Sequence, residues 1–270
     1  MSSIETPVTS AQPLDEGLAL VVPGRSLAAG AGWDWALAGW KLFARAPLMW
    51  VISMVLLVVI ALAMSIVPLV GSLLFQLLQS VFAAGFVVAC RSLERGGEFE
   101  LEHLFAGFTR RFGSLLVIGA LATLGSVVIL LVLLAFVLVV ILPGIDFGSY
   151  SSVMESIKSH GIAALLAILI ALALMIPLMA TYWFAPPLVV MHGMGPIEAM
   201  KASFSACFRN FMPMLVYGVV LLVPLIGAMI TFGLGLLVFW PLLIASTYAA
   251  YRQIFTADEA APVPARATML

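Results

Sequence analysis

The chain has 270 residues, 64% hydrophobic and 9% charged, with 12 Lys and Arg against 13 Asp and Glu for a net charge of −1. An ordinary globular domain carries about 25% charged residues, so this composition cannot coat a water-soluble particle, whereas a surface facing lipid needs no polar cover. Near-zero net charge also excludes the whole-chain basic field that would make nucleic acid a partner.

Residues 1–30, with Ser, Thr, Pro, Gly and acids, read as a mobile cytoplasmic tail. Their apolar stretch at 18–22 is shorter than the roughly 7 to 15 residues of a signal-peptide core. Beyond it the informative feature is where charges are absent, because one charge at a helix centre costs about 2.5 to 3.5 kcal/mol of insertion free energy. Residues 47–90 are uncharged and are interrupted by Pro68, Leu69, Val70 and Gly71, predicting a hairpin of spans at 47–67 and 72–90. Residues 112–145 are again uncharged, predicting one long, tilted span at 112–142, closed by Pro143 and Gly144 and followed by a polar loop over 146–160. A span at 161–183 ends in Tyr182 and Trp183 before Pro186 and Pro187. Residues 210–251 hold spans at 211–229 and 231–251, turning near Pro224, Gly227, Gly233 and Gly235, and a second mobile tail occupies 256–270. The expected fold is all-α: a polytopic transmembrane bundle of six spans in one domain, 33–255. Eleven of the twelve basic residues fall on one side and Lys158 alone on the other, which predicts that both termini are cytoplasmic.

A short amphipathic segment precedes each hairpin. Leu101, Leu104, Phe105, Phe108 and Phe112 recur at helical spacing. Ile197, Met200, Phe204, Phe208 and Phe211 repeat the pattern, with Glu198, Ser203, Ser205 and Arg209 off the stripe. Before the first span, Trp33, Leu37, Trp40 and Phe43 are apolar while Asp34, Lys41 and Arg45 form a narrow polar stripe. The chain thus reads as three units of interfacial helix plus hairpin.

The stretch from Ala185, Pro186 and Pro187 through Gly193, Met194, Gly195, Pro196, Ile197, Glu198, Ala199, Met200 and Lys201 to Phe208, Arg209 and Asn210 resembles an uncharacterised group of bacterial multi-pass inner-membrane proteins. The motif is similar to the membrane domain attached to some glycerophosphodiester phosphodiesterases. The resemblance implies a bacterial inner-membrane location and brings no established activity with it, and the chain has no room for a soluble phosphodiesterase domain.

No Asp, Glu, Lys or Arg falls inside the six expected spans, and His103, His160 and His192 lie in three separate segments. This argues against a proton relay. Cys90 and Cys207 have no metal-ligand spacing, and no nucleophile elbow, metalloprotease motif or phosphate loop is present, so neither an enzyme nor a cofactor is expected. Two candidate sites remain. Arg45, Arg110, Arg111, Lys201 and Arg209 adjoin spans at headgroup depth, where each basic residue gains about 1 kcal/mol from anionic lipid. Gln76, Gln79 and Ser80 read as a polar face turned into the bundle. The expected role is a non-enzymatic scaffold or accessory component contacting membrane lipids or partner membrane proteins. The alternative is a transporter or flippase for an apolar or amphiphilic cargo, suggested by the repeated hairpins and kink residues.

Overall fold

A backbone crossing hydrocarbon must bond its own N–H and C=O groups, which favours helices. The computed structural model describes residues 18–141 and 149–258, and these are helical except for a small ribbon and the turns. In order come β1 (Leu18–Leu20), α1 (Ala31–Arg45), α2 (Pro47–Ser65), α3 (Val70–Glu94), a 3-10 turn (Leu101–Phe105), α4 (Ala106–Arg110) and α5 (Phe112–Phe136), which runs into a π turn (Val137–Ile141). There follow α6 (Tyr150–Tyr182), α7 (Ala185–His192), α8 (Pro196–Arg209), α9 (Phe211–Ile230), α10 (Leu236–Phe255) and β2 (Thr256–Asp258).

Among the described residues, five segments are long and apolar enough to cross a membrane: Pro47–Ser65, Val70–Glu94, Phe112–Val140, Lys158–His192 and Phe211–Ile230. The sixth expected span corresponds to α10, whose 20 residues reach about 30 Å. Tyr248, Tyr251, Arg252 and Gln253 make α10 less apolar, and it packs inside the bundle against α1, α2, α3 and α9 rather than facing lipid all round.

The hairpins turn where Pro and Gly punctuate the sequence. The chain reverses at Leu69, and again at Phe232 and Gly233, where Thr231 Oγ1 accepts the Gly235 N–H at 2.8 Å. Pro224 and Pro241 lie within α9 and α10 instead of ending them. Three expectations need correction. Residues 150–160 are the first turns of α6, not loop, since no Gly or Pro interrupts them before Gly161; residues 146–148 of the expected loop, like Pro143 and Gly144 before them, lie outside the described residues. Pro186 and Pro187 do not stop the chain, which breaks earlier, at Trp183 and Phe184. They occupy the first turn of α7, where a missing N–H costs no helical bond. The tail boundary at residue 30 falls inside a packed strap. β1 pairs antiparallel with β2, Val21 N–H bonds to Phe255 O at 2.8 Å and Arg25 N–H to Ile254 O at 2.8 Å. Residues 1–17 and 259–270 lie outside the described residues.

The largest fully buried side chains, among them Trp35, Trp50, Phe86, Leu104, Leu115, Phe184, Leu188, Tyr248, Tyr251 and Phe255, gather where α1, α4, α7 and α8 join the long helices. We call this the basic end, since Arg45, Arg110, Arg111 and Arg209 lie there. Toward the opposite end the hairpins expose Leu62, Leu69, Leu130, Leu138, Leu165 and Ile170. Lipid tails are as apolar as these side chains, so no hydrophobic force draws the helices together there.

Candidate functional site

The five basic candidates occupy separate places around the basic end. Arg45, Arg110 and Arg209 each close a helix, α1, α4 and α8, where a positive charge meets the negative end of the helix dipole. Arg45 Nη1 donates to Leu93 O at 2.5 Å, tying α1 to the end of α3. Arg209 Nη1 approaches Gly24 O of the strap at 3.5 Å. The Arg111 guanidinium lies over Gly193, whose left-handed φ of 67° caps α7. Lys201 is exposed on α8.

The three segments expected to be interfacial helices are organised differently from the expected stripes. On α1 the expected apolar residues Trp33, Leu37 and Trp40 point away from the protein, while Ala31, Gly32, Trp35, Ala36, Gly39, Leu42 and Phe43 are buried. Ile197, Phe204 and Phe208 of α8 and Phe211 at the start of α9 are exposed, and the buried face of α8 is Ala199, Ala202, Ser203, Ala206 and Cys207. Small residues let the backbones approach, so the bulky stripe is left on the outside. Residues 101–112 are not one helix: the chain passes from the 3-10 turn through α4 and kinks at Arg111. Leu104 is buried, whereas Leu101, Phe105 and Phe112 are exposed. Gly107 seats this segment on α3, because a Cβ there would meet the Val81 carbonyl. Phe108 contacts Phe82 edge-on, centroids 5.4 Å apart.

Gln76, Gln79 and Ser80 do not form one interior face. Ser80 is buried and its hydroxyl donates to Leu115 O of α5 at 2.6 Å. Gln76, four residues before Ser80, is half-buried, and Gln79 is exposed.

Sequence reasoning missed several polar anchors. Glu94 accepts hydrogen bonds from Tyr248 OH at 2.6 Å, Arg91 Nη1 at 2.8 Å and Arg252 Nε at 3.0 Å. The pairing of Arg91 with Glu94 three residues on, at the end of an apolar span, was the available signal. Asn210, fully buried between α8 and α9, accepts from Leu27 N–H and donates to Arg25 O and Ala206 O, each at 2.9 Å. Ser203, expected off the packing face, has no exposed surface; it accepts the Phe184 N–H at 2.9 Å and donates to Ala180 O at 2.6 Å. It thereby serves the backbone where α6 breaks from α7. Tyr251 OH and His192 Nε2 lie 2.6 Å apart, joining α10 to α7. Burial pushes the Cys207 thiol up to about 12, a shift that a hydrogen bond with Ser203 only partly opposes. Among the described residues no cluster of His, Cys, Asp or Glu is placed to hold a metal ion.

The long apolar helices define a multi-pass helical membrane protein. The chain is 30% identical over 259 residues to a probable inner membrane protein of Burkholderia thailandensis, covering 86% of this chain and 94% of that protein, and it belongs to the same family. No family model matches the chain. No solved structure matches it either.

Proposed function

We propose that the protein is a six-span, non-enzymatic component of the bacterial inner membrane with both termini cytoplasmic, α10 being the sixth span. In this reading it organises lipids or partner membrane proteins through α1, α4 and α8. The observation that carries the proposal is the outward stripe on α1 and α8: Trp33, Leu37 and Trp40 beside Lys41 and Arg45, and Phe204 and Phe208 beside Lys201 and Arg209. Aromatic rings with adjacent cations suit the headgroup boundary, where Arg can bind phosphate oxygens bidentately. The relative's name supports the location, and the eleven-to-one distribution of basic residues supports the orientation. The segment 185–210, similar to the membrane domain of some glycerophosphodiester phosphodiesterases, serves here as the α7–α8 packing module. Native mass spectrometry tests the proposal. Phosphatidylglycerol or cardiolipin should remain on the wild type and be lost from Arg→Lys variants at positions 45, 110, 111 and 209; equal retention would remove the lipid reading.

A transporter or flippase for an amphiphilic cargo is the second reading, favoured by one observation: Gln79 is exposed and Gln76 only half-buried within a span. Lipid movement in vesicles that depends on those glutamines would favour it over the scaffold.

A further inference from the structure

Glu94, Cys90, Ala83, Gln79, Gln76 and Ser72 succeed one another along α3 at steps of four, seven, four, three and four, and so share one side of the helix. At the basic end this side is covered, with Cys90 fully buried and Glu94 bonded to Tyr248 and Arg252 of α10. Toward the other end it is not: Ala83 and Gln76 are half-buried, and Gln79 and Ser72 are exposed. Among the described residues neither glutamine amide has a hydrogen-bond partner, while the neighbouring Ser80 is committed to Leu115 O. α7 packs between α3 and α5 near the basic end but has only eight residues, and α6 packs on α5 and α8 rather than extending that cover along α3.

Each carboxamide carries donors and an acceptor that hydrocarbon cannot satisfy, and a polar group left unbonded there is costly. The occupant's chemistry follows from what surrounds the amides. Residues 47–90 and 112–141 hold no Asp, Glu, Lys, Arg or His, so a charged headgroup at this depth would find no counter-charge. Exposed Leu62, Leu73 and Val128 on α2, α3 and α5 offer apolar surface. We infer that this side of α3 binds an uncharged amphiphile of the diacylglycerol type, whose ester and hydroxyl groups bond to Gln76 and Gln79 while its chains lie along the helices. This goes beyond the function proposed above, because a scaffold or a carrier could equally hold such a lipid.

The test uses the full chain in phosphatidylcholine vesicles containing traces of a diacylglycerol with a diazirine in its acyl chain, and in parallel a phosphatidylglycerol with the same group. After irradiation, the diacylglycerol label should map to the half of α3 around Gln79 and the adjacent helices, and unlabelled diacylglycerol should compete it away where unlabelled phosphatidylglycerol does not. The double variant Gln76→Leu, Gln79→Leu should lose about eightfold of the labelling, the effect expected for two hydrogen bonds of the strength found between membrane helices. Gln79→Asn, which keeps the amide, should retain most of it. Unchanged labelling in the leucine variant overturns the inference, as does equal competition by phosphatidylglycerol. Cross-links joining two copies through α3, with diacylglycerol excluded, would assign this side to self-association and overturn it too. The competition arm needs only the wild type, so a leucine variant that fails to fold leaves the test decisive.

Discussion

Gly39 of α1 lies against Ser246 of α10 so closely that a Cβ at Gly39 would fall 2.6 Å from the serine Cβ and 2.6 Å from its backbone nitrogen. Ser246 is held from the other side, its hydroxyl 2.6 Å from Tyr217 OH and donating to Leu242 O at 2.6 Å. Neither helix can yield without disturbing a third, α9. Gly39→Val should therefore destabilise the protein by about 1–3 kcal/mol, the usual range for overpacking. Gly30→Ala, where nothing lies within 4 Å, should stay within about 0.5 kcal/mol. Thermal unfolding in detergent checks both; equal melting temperatures for the two variants would contradict the close crossing.

Ser203 repairs a break in another helix. Ser203→Ala leaves the buried Phe184 N–H without its acceptor and the Ala180 carbonyl with only the weak Cys207 S–H donor at 3.7 Å. Unsatisfied buried groups cost about 1–3 kcal/mol, and the loss should appear as a lower unfolding midpoint. Hydrogen exchange should quicken first around Phe184. Exchange quickening only in distant helices would show that Ser203 does not hold this junction.

Asn210 joins the strap to the α8–α9 corner. Asn210→Leu conserves approximate size but removes the bonds to Leu27 and Arg25, so amides in residues 18–27 should exchange faster while those at the centre of α3 remain slow. Asn210→Asp should be intermediate, keeping the acceptor for Leu27 N–H but losing the donors to Arg25 O and Ala206 O. An unchanged strap in the leucine variant would mean that the ribbon of β1 and β2 holds it unaided.

The spans are the most legible part of the sequence, because each charge in hydrocarbon is costly and the gaps between charges therefore mark them. Their ends are legible for the same reason that Leu69 and Gly233 are turns: Pro and Gly punctuate there. What cannot be read is which side of α1 or α8 faces the protein. In water Trp33, Trp40 and Phe208 would be driven inward; beside lipid they have no such preference, and Gly39, Ala202 and Ala206 determine the contact by letting backbones approach. The strap escapes a composition argument because its partners, Ile254, Phe255 and Asn210, are remote in sequence. Among the candidate basic residues, Arg45, Arg110 and Arg209 lie in the last turns of α1, α4 and α8. The glutamine group is divided, because a spacing of three and four cannot tell which edge of the stripe meets α5.

Cys207 should be inert in the native protein. With its thiol at about 12, the thiolate is the attacking form for only about one part in ten thousand at pH 8, and the side chain is buried as well. The sign is that of a raised pKa: reactivity grows with pH, but the group remains almost wholly protonated below pH 10. Peptide mapping after maleimide treatment should find Cys207 unlabelled in detergent at pH 8 and labelled after denaturation in dodecyl sulfate. Native labelling at the rate of a free thiol would contradict the burial of this face of α8.

Trp35 and Trp40 offer the sharpest contrast within one helix. Trp35 is 1% exposed, donates its indole N–H to Gln253 Oε1 at 2.6 Å and meets Tyr217 edge-on with centroids 5.9 Å apart; Trp40 is 51% exposed. Truncating the first removes packing on α9 and α10 together and the hydrogen bond to the exposed Gln253, so Trp35→Ala should cost about 3–5 kcal/mol of stability. Truncating the second should change stability in detergent by under about 1 kcal/mol, since its ring faces outward. Its effect should appear instead in a bilayer: spin labels beside Trp40 should sit at headgroup depth in the wild type and become more water-accessible in Trp40→Ala. If Trp40→Ala proved the more destabilising in detergent, α1 would be seated on the opposite face, and the outward aromatic stripe that supports lipid contact would be lost with it.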